Sequence, residues 1–229
     1  RLTGLALASK LYRNIPEIQK FTEFSNHGNE VAFGTIGDSS TSEGLFYEAI
    51  NAAGVMQIPM AVSVWDDGYG ISVPVEQQTV KSSISKALEG FRKEKGDQTG
   101  ILIYDAPGWD YPGLCQMYEE GISLCREQHV PVLFHVKELT QPTGHSTSGS
   151  HERYKSRERL EWEQTYDCLT QMRQWILKTR LADEKTLDEI EEKAGNEARE
   201  AKKKAFDELM APILEEKQQL IQLVEQKEC

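Results

Sequence analysis

Apolar positions along this chain follow two rhythms. Short unbroken runs at Val31–Ile36, Pro59–Trp65, Gly100–Tyr104 and Val130–Val136 alternate with stretches whose apolar residues recur every three or four positions. The stretches predict helices over Leu5–Arg13, Ser42–Met56, Ile84–Arg92 and Tyr111–Gln128. In the second of these, Leu45, Ala49, Ala52, Ala53 and Met56 make one stripe. Unbroken runs separated by helices predict parallel strands covered on both faces by crossover helices. The expected fold class is therefore α/β, an open, doubly wound, mainly parallel sheet. Ligands of such sheets sit beyond the carboxyl ends of the strands. That directs attention to the loops Gly37–Thr41, Asp66–Ser72, Asp105–Asp110 and Thr140–Ser150.

Near Ala182 the pattern changes, giving an expected division into residues 1–181 and a charged helical tail over residues 182–229. The tail places Glu before Lys at helical spacing, as at Glu189/Lys193 and Glu200/Lys204. Pro212 is expected to end or kink its helix, which resumes over Ile213–Glu228 with Leu214, Ile221 and Val224 as apolar positions. A solvated helical face explains most of this pattern, and a partner-binding helix pair is the alternative.

The chain has 229 residues, with 26 Lys plus Arg against 37 Asp plus Glu, and a net charge of −11. This balance argues against nucleic acid or an anionic membrane as the main partner. No apolar run approaches the roughly 20 residues that span a bilayer. Cys115, Cys125, Cys168 and Cys229 form no close-spaced framework, so reduced thiols and a cytoplasmic location are expected. An opening at Arg1 rather than Met suggests a piece of a longer polypeptide.

The chemistry concentrates in two loops. Gly37-Asp38-Ser39-Ser40 lies between a strand and a helix, and Ser40 with Glu43 has capping-box spacing, predicting a helix start at Ser40. Free amides there favour an anion such as phosphate. Asp38 beside them would repel that anion unless a cation such as magnesium bridges the two; a simple cap is the bland reading. Asp66-Asp67-Gly68-Tyr69-Gly70 closes the next strand. Alone it reads as a turn, with the two carboxylates pointing opposite ways and the glycines allowing a carbonyl to be presented. Asp38, Asp67 and the Tyr69 carbonyl together would supply three oxygens to a magnesium ion.

Gly37-Asp38-Ser39, then the 26 residues Ser40–Trp65, then Asp66-Asp67 resembles the thiamine-diphosphate motif that opens GDG and closes NN. Glu43–Val64, the following Asp66–Ser72, the later Gly108–Gly113 and the loop Gly144–Lys155 are similar to the alpha-type half of the dehydrogenase (decarboxylating) component of 2-oxo acid dehydrogenase complexes. The resemblance covers about residues 1–180. It implies the thiamine-diphosphate-binding fold and two cofactors, thiamine diphosphate and magnesium. It implies magnesium ligands Asp38, Asp67 and Tyr69, and cofactor contacts from Gly37, Ser39, Ser40, Ile71 and His145. His145, a residue type usually idle in polar loops, becomes the catalytic candidate for acyl transfer to a lipoyl arm. Tyr154 and Lys155 match a loop-closing Tyr-Arg pair, with Lys in place of Arg. His135 is expected to be a satisfied core residue and His151 to face solvent.

The implied reaction is oxidative decarboxylation of a small 2-oxo acid, either branched-chain (such as 2-oxoisovalerate) or pyruvate. The implied partners are a beta-type half, as a separate subunit or in the same fused chain, and a lipoyl-bearing acyltransferase, in an oligomer. On this reading an isolated fragment is inactive. Ser39 and the Asp66-Asp67 pair depart from the motif, and Lys155 and Arg153 are candidates to offset the added charge. These departures keep open a binding or scaffolding module that retained the fold without the cofactor. A magnesium-dependent phosphohydrolase fits less well, because Asp38-Ser39-Ser40 lacks the expected second acidic or Thr position.

Overall fold

The computed structural model describes residues 1–145 and 151–225, so Ser146–Ser150 of the histidine loop and the last residues of the tail, Cys229 among them, lie outside the described residues. Two compact units divide at Met172/Arg173. The first unit begins with helix α1 (Leu2–Asn14), strand β1 (Ala32–Gly37), helix α2 (Gly44–Met56) and strand β2 (Met60–Trp65). A ribbon of two short strands follows, β3 (Tyr69–Gly70) and β4 (Val73–Pro74), then the short helix α3 (Ile84–Ala87). Strand β5 (Leu102–Pro107), helix α4 (Tyr111–Gln128), strand β6 (Val132–Lys137) and helix α5 (Arg157–Thr165) complete it. Helix α6 (Cys168–Thr179) crosses the division, and α7 (Glu184–Glu225) belongs to the second unit.

The four long strands are parallel and lie in the order β1-β2-β6-β5. The register pairs Gly37 with Trp65, and Val64 with His135. All four strands therefore finish at one edge. The chain steps outward past the place that β6 later fills, then returns. Right-handed crossovers consequently put helices on opposite faces. Ile50, Ala53, Ile84 and Leu88 pack with Met60, Val62, Val64, Ile103 and Leu133 on one face. Met117 and Cys125 of α4 pack with Ala61, Ala106, Val132 and Phe134 on the other. A Cβ on Gly121 would run into the Phe134 ring, so the glycine is what lets α4 lie close on β6.

Several sequence expectations change. Burial on both faces holds along β2 and β6 until their last residues, whereas β1 alternates between half-buried and exposed. As an edge strand it has one neighbour, and its Phe33, 48% exposed, makes a T-shaped contact with Tyr118. Helix α2 starts at Gly44, without a side-chain cap. The preceding Ser39–Ser42 tightens into a 3-10 turn because the Thr41 amide and hydroxyl both donate to the Asp38 carbonyl. Its buried stripe is Phe46, Ile50, Ala53 and Gly54, leaving Leu45 78% exposed. The helix expected through Arg92 is regular only over Ile84–Ala87 and then continues as a 3-10 turn, Glu89–Phe91.

In the second unit Arg173 holds Asp188 at 2.6 Å and Glu191 at 2.8 Å. Helix α7 runs through Pro212 instead of ending there. The lost hydrogen bond costs about 3 kcal/mol, and the Leu, Met, Glu, Lys and Gln residues around it are strong helix formers. Lys193 reaches Glu197 and Lys204 reaches Glu208, each at 3.8 Å, in place of the expected Glu189/Lys193 and Glu200/Lys204 pairs. Exposed pairs of this kind contribute little. No described helix is long and apolar enough to cross a membrane. Cys115, Cys125 and Cys168 are free thiols.

Candidate active site

At the carboxyl edge, the turns after β1, β2 and β6 enclose a cavity of about 580 Å³. Gly37, Asp38, Ser39 and Ser40 line it from the first turn, and Asp67, Tyr69 and Ile71 from the second. Leu139, Thr140, Gln141 and His145 line it from the third. Every residue that the sequence reading assigned to the cofactor therefore borders one space. The Asp105–Asp110 turn, also expected at this edge, does not border it.

Local geometry explains how the acidic groups are presented. The Asp38 amide donates to the Trp65 carbonyl at 3.0 Å, continuing the β1–β2 ladder into the turn. The Asp38 side chain is buried, and its Oδ2 has no hydrogen-bond partner. After β2, Asp66 and Asp67 diverge. Asp66 accepts from the Gly68 amide at 2.8 Å and pairs with His135 Nε2 at 2.7 Å, whereas Asp67 accepts from the Tyr69 amide at 3.1 Å and borders the cavity. Gly68 takes φ 80°, and a Cβ on Gly70 would sit 2.7 Å from the Ser39 Cβ, so the two turns pack closely. Ile71 has φ 60°. That is a strained setting for a β-branched residue, of a kind that clusters at functional sites.

Burial, followed by the charges of Asp66 and Asp67, pushes the Asp38 carboxyl from an ordinary 3.8 up to about 7. Burial also raises Asp67, partly offset by the Tyr69 amide and Lys155. For Asp66 burial alone would raise the value, but the hydrogen bond and charge of His135 and the Gly68 amide together lower it. No lysine or arginine is among the described residues that line the cavity.

The nearby cations are engaged elsewhere. Lys155 is buried and donates to Glu163 Oε1 at 2.7 Å; it does not line the cavity, although its charge still lowers Asp67. Arg153 is exposed in the short turn before it. Arg159, which sequence reasoning missed, donates from Nε to the same Glu163 oxygen at 2.8 Å and from Nη2 to the Asp67 carbonyl at 2.7 Å. Both cations also lie over the Tyr69 ring, at 5.1 and 5.6 Å. The spacing of Arg159 and Glu163 was visible as a helical pair, but their target was not. His145 is exposed at the cavity. His151, expected in solvent, has a side chain only 14% exposed. His135 is buried and fully bonded, to Asp66 and to Ser85 Oγ at 3.0 Å.

Among the described residues no three His, Cys, Asp or Glu side chains cluster as a self-sufficient metal site. Asp38 and Asp67 supply two carboxylates, and the unpartnered Asp38 Oδ2 is a buried acceptor lacking a donor or cation. This donor set suits a hard cation that takes its remaining oxygens from backbone, water and a phosphate-bearing ligand.

A family model for the dehydrogenase E1 component matches residues 1–213. The chain belongs to this family. Among similar proteins, the pyruvate dehydrogenase E1 component subunit alpha of Rickettsia bellii is 28% identical over 181 residues, 79% of this chain and 52% of that protein. The 2-oxoisovalerate dehydrogenase subunit alpha 2 of Arabidopsis thaliana is also 28% identical, over 72% of this chain and 33% of that protein. The 3-methyl-2-oxobutanoate dehydrogenase subunit alpha of Mycobacterium tuberculosis shows the same identity over 77% and 45%. This E1-family chain thus spans between a third and about half the length of these relatives.

Proposed function

We propose that this chain forms the side of a 2-oxo acid dehydrogenase E1 active site that holds magnesium and the diphosphate of thiamine diphosphate. The observation that carries the reading is the convergence of Asp38, with its unpartnered buried oxygen, and Asp67 on one cavity at the sheet's carboxyl edge. Asp38, Asp67 and the Tyr69 carbonyl hold the cation, and Gly37, Ser39 and Ser40 border the diphosphate. Ile71, 61% exposed in its strained turn, is the apolar support for the cofactor. Bound thiamine diphosphate supplies the electron sink for decarboxylation. His145 receives or returns the proton at the acyl-transfer end, where the acceptor is a lipoyl group on an acyltransferase. Magnesium also answers the acidity of the cavity, which no Lys or Arg among the described residues lines.

The substrate class is a small 2-oxo acid, branched-chain or pyruvate. A beta-type half, in the same chain or another, supplies the rest of the site in a cytoplasmic oligomer. Titration of the full chain with magnesium and thiamine diphosphate should show binding, weakened at least about tenfold in Asp38→Ala, the scale of a lost charged contact. Equal affinity in the variant would reject the metal assignment. Absence of binding, with no turnover once the beta-type half is added, would favour the cofactor-free binding module that the uncompensated carboxylates otherwise suggest. In the assembled enzyme His145→Ala should slow lipoyl acylation more than it weakens cofactor binding, and an unchanged acylation rate would remove His145 from the mechanism.

A further inference from the structure

Asp66 stands where the thiamine motif carries a neutral amide, yet it is the most completely bonded residue of its turn. Its amide donates to the Val136 carbonyl at 2.9 Å, and its carbonyl accepts from Leu139 at 3.0 Å. Oδ1 accepts from the Gly68 amide and Oδ2 bonds His135 Nε2, at 2.8 and 2.7 Å. Both Asp66 oxygens are thus already bonded, and Asp67 rather than Asp66 lines the cavity.

His135 lies on β6 with both ring nitrogens engaged. Nδ1 meets Ser85 Oγ at 3.0 Å, and Ser85 in turn meets Ser83 Oγ at 3.1 Å. The Ser83 side chain accepts from the Lys86 amide and so caps α3. A continuous line of hydrogen bonds therefore runs from the start of α3, through a buried strand, to the turn that carries Asp67 and Tyr69. A carboxylate at position 66 requires a donor at this spot, because an unpaired buried carboxylate beside Asp38 and Asp67 is costly. Without that donor the Asp66 side chain keeps only the Gly68 amide, and the turn that carries Asp67 loses its side-chain tie to β6.

We propose that Ser85, His135 and Asp66 form a positioning relay that fixes the turn presenting Asp67 and the Tyr69 carbonyl, and so sets the affinity for magnesium thiamine diphosphate. The proposal rests on the cofactor reading of the cavity. The test is calorimetric titration of the full chain with magnesium and thiamine diphosphate, well below each variant's melting temperature. His135→Ala should bind about tenfold more weakly, the scale of losing a hydrogen bond to a charged group. Ser85→Ala, at the far end of the relay, should lose about twofold to fivefold. The paired change Asp66→Asn with His135→Gln, which replaces the bond by an amide pair, should recover to within about threefold of the original affinity.

A residue with a merely structural role would lower the melting temperature and leave affinity alone. Undiminished affinity in His135→Ala, or in Ser85→Ala where the former does not fold, overturns the relay. So does a paired variant no better than His135→Ala. A wild-type chain that takes up no magnesium thiamine diphosphate overturns the cofactor reading itself, which separates the two failures.

Discussion

Replacing Glu163 by alanine should destabilise the chain by about 3–5 kcal/mol, the cost of leaving a buried charge without its partner. Glu163 and Lys155 side chains are each 1% exposed, and a single oxygen, Oε1, receives both Lys155 at 2.7 Å and Arg159 at 2.8 Å. Alanine removes that oxygen and strands the Lys155 ammonium in a dry setting. Arg159 is 26% exposed and keeps its bond to the Asp67 carbonyl, so it contributes less to the loss. Glu163→Leu combined with Lys155→Met should recover most of the stability, because an apolar pair of similar volume needs no compensation. Urea denaturation checks this through the midpoint at constant slope. A loss below about 1 kcal/mol for Glu163→Ala would mean that water reaches the ammonium and that the pair is not buried in solution.

The same network shows where the sequence was legible and where it was not. Unbroken apolar runs announced four parallel strands because β2 and β6 are covered on both faces, and α4 begins and ends where its periodicity does. Helix α2 was harder to read. Leu45, Phe46, Ala49, Ile50, Ala52 and Ala53 are all apolar, so periodicity alone does not choose which face turns inward; packing against β2 and α3 selects Phe46 and Ile50. The Ser40/Glu43 capping pattern lost to a local competitor, the Thr41 hydroxyl on the Asp38 carbonyl.

At the site, local spacing was enough to bring Asp38, Asp67, Tyr69 and His145 to one edge, since strand ends define that edge. What stayed hidden were partners distant in sequence. His135 lies 69 positions from Asp66, and Arg159 lies 92 from the Asp67 carbonyl it braces. Composition could suggest Lys155 as an offset for the cavity's negative charge, but only the packing of α5 shows that Glu163 already holds it.

In the metal-free chain Asp38→Asn should raise stability, by an amount that depends on pH with a definite sign. The Asp38 carboxyl titrates near 3.8 in ordinary surroundings and at about 7 in the folded chain, chiefly through burial and then through Asp66 and Asp67. Below pH 3.8 it is protonated in both states and costs nothing. Between 3.8 and about 7 the unfolded chain releases the proton while the folded chain retains it. Folding is therefore penalised by an amount that grows with pH across this interval. Above about 7 the penalty is constant. Asparagine carries no such charge, and its amide can donate to the neighbouring carboxylates. The variant's advantage in thermal denaturation should therefore be absent near pH 3.5, grow through pH 5 and 6, and level off above 7. Added magnesium and thiamine diphosphate should reverse the order at neutral pH, because ligand binding stabilises only the chain that can bind. An advantage independent of pH would show that Asp38 is not the strained carboxylate. A variant that magnesium and cofactor stabilise as much as the original would show that its unpartnered oxygen is not what the cation needs.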